Sequence, residues 1–221
     1  MKRISIVGLG YVGLPLAVAT ANAGHQTTGI DIDSSKIGRL KKSDSYIEDV
    51  SNTELNESIN SGSLTFSSDL AEVSNSEIII ICVPTPLDEQ RNPDLTALNV
   101  AVKSVVPYLS KGSLLISEST SYPGTIRELI IPLIEKIHGS EHGILVASAP
   151  ERVDPGNNFF GYRNTPRVVG GMNKEASKQA ADFYRTFCSE VFEVSSPEVA
   201  ETAKLLENTF RQVNIALINE I

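Results

Sequence analysis

Apolar positions along this chain come in two alternating patterns, short continuous runs of strand type and longer stretches of helical period. Ile4, Ile6 and Val7 open a strand that stops at Gly8, a helical stretch follows Gly13, and a second strand ends at Asp31. Ser34 fits the N-cap of the next helix. Residues 43–63 are rich in Ser, Asn, Asp and Glu and leave room for no more than a short surface helix. Leu64 to Phe66 reads as a brief strand, and Asp69, Leu70 and Val73 start a helical turn. EIIIICVP, residues 77–84, is an uninterrupted apolar run of the kind buried on both faces of a parallel sheet.

Beyond Pro84-Thr85-Pro86 and a polar loop over 87–96, a helix is predicted to about Tyr108. A strand follows at SLLISES, residues 113–119, and a helix from Thr125 to Ile137 that Pro132 is expected to kink. ILVASAPE, residues 144–151, is the next strand, and the polar segment 152–165 leads to a short strand, RVVGG. A helix over Lys174–Phe187 and a last strand, VFEV, complete the unit. This alternation predicts an α/β protein with a doubly wound parallel sheet over residues 1–194, followed by the start of a long helix over 195–221. Ser196 is expected to cap that helix, with Pro197 in its first turn. Its apolar stripe, Val199, Ala203, Leu206, Phe210, Val213 and Leu217, is still running at Ile221, as though the helix were cut midway.

Chemistry enters at the first turn. GLGYVG, residues 8–13, lies between a strand and a helix, the context that a dinucleotide fingerprint requires. Gly8 lets the chain turn, Gly10 leaves room for a pyrophosphate, and Gly13 lets the helix pack closely on the sheet. The N–H groups around Tyr11 and Val12 point at the anion, aided by the helix dipole. Asp31 falls where an acid accepts hydrogen bonds from both ribose hydroxyls, and its charge favours NAD over a 2′-phosphorylated cofactor. The predicted unit is thus a Rossmann domain, with Pro15 tolerable early in the helix.

Composition narrows the partners. A net charge of −8 over 221 residues argues against a nucleic-acid surface, and Lys36, Arg39, Lys41 and Lys42 read as a solvated helix face. No apolar run approaches the ~20 residues that span a bilayer, and no leader precedes the first strand, so a cytoplasmic location is expected. Cys82 and Cys188 lack metal spacing and read as buried free thiols, and no metal is expected.

Further candidates lie where the fold would gather them. Thr85 and Thr120 follow the two central strands and fit the nicotinamide end of the cofactor, though taken alone they read first as turn formers. Glu151 ends a buried strand, where an ion pair with Arg152 is the plain alternative. Lys204, Asn208 and Arg211 share one narrow helix face, which most often is simply a wet face. His25, His138 and His142 have no partners at catalytic or metal spacing.

Together, GLGYVG, the VPTP turn at 83–86, Ser119-Thr120, APERVDPGN at 149–157 and the helix AETAKLLENTFRQVNIALINE resemble the UDP-glucose/GDP-mannose dehydrogenase family over the whole chain. The resemblance implies oxidation of a nucleotide-sugar 6-hydroxyl to the carboxylate with two NAD, through a thioester on a cysteine. It implies that Glu151 handles the hydrolytic water and Thr120 helps position it, while Lys204 and Asn208 stabilise the alkoxide. The family's cysteine motif, GGHCIPVDP-like, has no counterpart here, so the resemblance implies a cofactor domain without the nucleophile or the C-terminal sugar-nucleotide domain. It also implies a homodimer built on the central helix. APERVDPGN is similar to the form in enzymes acting on UDP-N-acetylhexosamines, which puts UDP-N-acetylglucosamine first, with UDP-N-acetylmannosamine, UDP-N-acetylgalactosamine and UDP-glucose as alternatives. Readings of other classes are a non-catalytic NAD-sensing module and a dehydrogenase of small 3-hydroxy acids, which shares the Lys–Asn spacing but not the 149–157 loop.

Overall fold

The computed structural model describes residues 1–152 and 164–221. Eight strands form one sheet in the order β3-β2-β1-β4-β5-β6-β7-β8. They are β1 (Arg3–Val7), β2 (Gln26–Ile30), β3 (Leu64–Ser67), β4 (Ile78–Ile81), β5 (Leu114–Ser117), β6 (Leu145–Ser148), β7 (Arg167–Gly171) and β8 (Val191–Glu193). The strand order reverses between β1 and β4, and the crevice outside the carboxyl ends at such a switch point is where this architecture binds ligands. Continuous apolar strands follow from burial on both faces. Ile78 and Ile80 of β4 face one core with α1 (Gly13–Asn22), while Ile79 and Ile81 face the other with α4 (Thr96–Val105).

The sheet is not parallel throughout. β7 pairs antiparallel with β6, and β8 runs parallel to β7, so the last two strands oppose the other six. A parallel return needs a crossover with room for a helix, and segment 152–165 carries no helical period.

Smaller departures have local causes. Asp33, rather than Ser34, caps α2 (Ser34–Leu40), its carboxylate accepting from the N–H of Ser35 at 2.9 Å. The polar stretch holds α3 (Asn52–Asn60), entered through a capping box of Ser51 and Glu54. Pro132 lacks the N–H an α-helix needs, and the chain meets it with a π-turn over Ile126–Ile130 that runs into α5 (Ile131–His138). Helix α6 (Lys174–Tyr184) covers the β6–β7 end, where a Cβ at Gly171 would stand 2.3 Å from the Ser177 nitrogen.

Helix α7 (Pro197–Glu220) starts against the sheet and then leaves it. A Cβ at Gly170 would lie 2.1 Å from the Ser196 carbonyl oxygen, so only glycine lets the helix begin that close. Ser196 sits at the N-cap position but makes no side-chain cap, contrary to expectation, because its hydroxyl bonds the Glu198 carboxylate instead. Ala200 and Glu201 are buried, whereas Leu206 and Phe210 are 69% and 70% exposed and Val213 and Leu217 are exposed too. Among the described residues no helix is long and apolar enough to cross a membrane.

Candidate functional site

The turn from β1 into α1 is fixed by backbone crowding. Gly8 has φ +94°, and a Cβ there would lie 2.5 Å from the Cys82 carbonyl oxygen at the end of β4. A Cβ at Gly13 would lie 1.8 Å from the Gly8 carbonyl oxygen. The third glycine therefore serves first to let the turn close on itself, with Cys82 Cβ, at 3.2 Å, as the neighbour across the switch point. Gly10 is different, since a Cβ there would meet nothing within 4 Å. The protein leaves open space at the one glycine whose expected duty is to admit a pyrophosphate.

No side chain caps the first turn of α1, and Tyr11 beside it is 65% exposed. Asp31 ends β2 nearly buried, its Oδ2 accepting from the Leu9 N–H at 2.9 Å and its Oδ1 from the Asp33 N–H at 3.0 Å. Lys36 Nζ stands 3.5 Å from Oδ2. The carboxylate is thereby held beside the glycine turn, as a ribose acceptor must be. Gly8, Gly10, Tyr11, Val12, Gly13 and Asp31 lie together at one rim, and this uncapped helix end, open cradle and fixed acid fit a dinucleotide.

Thr85 and Thr120 meet directly. The Thr85 hydroxyl donates to the Thr120 carbonyl, and the Ser119 hydroxyl accepts from the Val83 N–H at 3.1 Å and donates to the Val83 carbonyl at 2.8 Å. The loops after β4 and β5 are zipped to each other, and Thr85 acts there as a brace.

Farther along the rim lies a set of buried charges. Arg167, 1% exposed at the start of β7, has Nη1 3.4 Å from Glu118 Oε2 and Nη2 3.9 Å from Glu151 Oε1. The Tyr184 hydroxyl donates to the other oxygen of Glu118, and the guanidinium lies 5.1 Å over the Tyr184 ring. Burial pushes Glu118 upward in pKa against the pull of Arg167 and Tyr184. On α7, burial lowers the pKa of the Lys204 ammonium, and the charge of Glu151 opposes the shift most strongly. Glu151 and Lys204, named from the sequence, are thus brought into one field.

Arg152 does not pair with its neighbour. It makes a two-pronged ion pair with Glu207 of α7, Nε to Oε2 at 2.7 Å, while Nη1 donates to the Pro166 carbonyl at 2.9 Å. Asn208, one turn beyond Lys204, is exposed, as is Arg211. The thiols fall out as nucleophiles, because burial pushes Cys82 well up and Cys188 up. Cys188 is nevertheless not remote, since it hydrogen-bonds Arg167. Of APERVDPGN, residues 153–157 lie outside the described residues.

Sequence reasoning missed Glu118, Arg167 and Tyr184, whose residue types carry no local signal in strands and helices. It also missed Glu201. That buried carboxylate accepts from the N–H of Gly124 at 2.6 Å and of Ile126 at 3.2 Å, which ties α7 to the loop after β5. Glu198 adds an ion pair to Arg127 at 2.8 Å. One turn after Glu201 comes Lys204, so these two acids set where the ammonium stands.

Residues 2–188 match the NAD binding domain of the UDP-glucose/GDP-mannose dehydrogenase family. The chain is 38% identical over 221 residues to a UDP-N-acetyl-D-mannosamine dehydrogenase of Pyrococcus horikoshii, covering 99% of this chain and 52% of that protein. It is 36% identical over 222 residues to a UDP-N-acetyl-D-glucosamine 6-dehydrogenase of Pseudomonas aeruginosa, with 99% and 52% covered. The solved UDP-D-ManNAc dehydrogenase from Pyrococcus horikoshii superposes with a TM-score of 0.92 at 37% identity, over 99% of this chain and 52% of that one. The chain spans about half the length of the curated relatives it matches.

Proposed function

The chain belongs to the UDP-glucose/GDP-mannose dehydrogenase family, and from that premise we propose that it supplies the NAD site and part of the oxidation site of a nucleotide-sugar 6-dehydrogenase. What supports the proposal is that α7, which carries Lys204, is tied by the Arg152–Glu207 ion pair to the segment that carries Glu151, on the rim that also holds the open glycine turn. NAD, when bound, accepts the hydride. Everything else falls to side chains. The Lys204 ammonium stabilises the alkoxide that forms at the sugar 6-oxygen, and Asn208 adds an amide donor. Glu151 takes and returns the proton of the hydrolytic water, with Thr120 helping to hold that water.

Two such oxidations convert the 6-alcohol through the aldehyde to the acid, with two NAD reduced per sugar. The second passes through a thiohemiacetal and a thioester, so it needs a thiolate. Cys82 and Cys188 are buried and held protonated, and the reading therefore takes the thiol from outside residues 1–221. UDP-N-acetylglucosamine is the first substrate candidate and UDP-N-acetylmannosamine the second, and relatives carry both names. The exposed apolar face of α7 suits a homodimer, which would bury Leu206, Phe210 and Val213.

The test is calorimetric titration with NAD and with NADP, followed by an assay for uronate with each UDP-sugar. Binding of NAD alone, without uronate, is the expected outcome. Uronate made by this chain alone overturns the placing of the thiol, and failure to bind NAD overturns the whole reading.

A further inference from the structure

We propose that Tyr46 is a positioning residue for the cofactor site, its hydroxyl locking the peptide between Leu9 and Gly10 so that the Gly10 N–H is held ready for the cofactor's pyrophosphate. The inference rests on the reading of the glycine turn as the NAD site and goes beyond it, because Tyr46 lies outside the turn, 37 residues from Leu9 along the chain.

A glycine on each side leaves Leu9 in the loosest part of the turn, since glycine backbones rotate more freely than any other. The structure removes that freedom from several sides. The Gly8 N–H donates to the Ile30 carbonyl at 2.8 Å, and the Leu9 N–H donates to Asp31 Oδ2 at 2.9 Å. The Leu9 carbonyl accepts from the Tyr46 hydroxyl at 2.7 Å, and the Leu9 side chain is fully buried. In a planar trans peptide the carbonyl and the next N–H point opposite ways. The grip on the Leu9 carbonyl therefore also aims the Gly10 N–H, away from Tyr46. Among the described residues that N–H has no hydrogen-bond partner, and the space beside Gly10 is open. An N–H fixed in advance binds an anion without the ordering cost that a free one carries.

Tyr46 is itself well supported. Arg39 of α2 grips Asp44 through Nε at 2.7 Å and Nη2 at 3.2 Å, and it donates to the Ser45 carbonyl at 3.3 Å. The same guanidinium lies 5.4 Å over the Tyr46 ring, and Lys36 Nζ lies 5.9 Å over it. The Ser45 N–H donates to Asn52 Oδ1 at 2.8 Å. The segment around Tyr46 is thereby anchored to α2 before it and to α3 beyond. Burial, with the charges of Asp31 and Asp33, pushes the phenol upward in pKa, so the hydroxyl stays a donor at any ordinary pH. A tyrosine that only filled the gap would need its ring and not its oxygen.

The experiment compares Tyr46→Phe, which loses one oxygen and keeps the ring, with the unsubstituted chain, by titration with NAD and with adenosine. Adenosine keeps the ribose hydroxyls that suit Asp31 and lacks the pyrophosphate. NAD affinity is expected to fall about tenfold and adenosine affinity to stay within about twofold. Equal losses for both ligands, the mark of a merely structural residue, overturn the proposal, and so does no loss for either. A second variant, Arg39→Lys, keeps the charge and gives up the two-point grip on Asp44. Its NAD affinity should fall about threefold, again with adenosine unchanged. If Tyr46→Phe does not fold, this variant decides, a selective loss supporting the proposal and its absence overturning it. Failure of the unsubstituted chain to bind NAD strikes the reading of the turn instead. The lock is then decided by nitrogen relaxation of the Gly10 amide, whose order parameter should drop in Tyr46→Phe from the rigid value of about 0.85 while the amides of β1 stay rigid. An unchanged value at Gly10 overturns it.

Discussion

The turn over residues 8–13 and the charged rim around Glu151 occupy the same edge of one sheet, but they are put together differently. In the turn, each steric constraint comes from backbone atoms a few residues away or at the end of the adjoining strand, as with the Gly8 and Cys82 carbonyls. At the rim, Glu118 and Glu151 follow β5 and β6, Arg167 opens β7 and Lys204 lies on α7, so the acids and the arginine meet partners far along the chain. A site of the first kind tolerates no added atom at its crowded glycines, Gly8 and Gly13. One of the second kind tolerates atoms but not a missing charge.

The sharpest way to break the comparison is at Gly13. Gly13→Ala sets a methyl 1.8 Å from a backbone oxygen that cannot swing away, and the expected loss exceeds about 3 kcal/mol in a urea unfolding curve. Gly10→Ala, with open space around it, is expected to leave stability within about 0.5 kcal/mol while NAD binding weakens at least about tenfold by calorimetry. Equal stability losses at the two positions would show that the turn is not built as described.

The rim is tested next through its tether. Glu201→Ala strips the acceptor from two buried N–H groups, for an expected loss of about 2 kcal/mol. Hydrogen exchange at Gly124 and Ile126 should quicken with it, while the amides of β1 stay protected. Protection at Gly124 and Ile126 unchanged from the parent would mean that α7 is held by other contacts.

The smallest effect lies at the half-exposed pair of Arg127 and Glu198. The guanidinium beside Glu198 holds its carboxyl down at about 2. A depressed acid adds stability that is complete above its unfolded value, roughly 4.3, and is lost as pH falls towards the folded one. Glu198→Gln should flatten the stability curve between those values by no more than about 0.5 kcal/mol, since Arg127 is largely in water and screened. A steeper curve in the variant would reverse the sign and refute the pairing.

These differences explain what the sequence made legible. GLGYVG and Asp31 could be read because a glycine turn is a local demand, and IIII at 78–81 because burial on both faces admits little else. Lys204 and Glu151 were readable only as residue types at suggestive places. Arg167 was not readable, since an arginine at the start of RVVGG looks like any strand-end cation until Glu118 is known to lie beneath it. The same holds for Glu201, which sits on the face of α7 opposite the stripe that drew attention. The reversal of β7 belongs with them, as strand direction is set by the path of the connection rather than by the strand's own residues.

Arg152 has a further consequence. One guanidinium grips the Pro166 carbonyl and Glu207 together, from a residue at the head of the segment that ends at Pro166. The end of β6, the entry to β7 and the middle of α7 therefore meet at a single clasp, a second fastening of the helix apart from the Glu201 tether nearer its start.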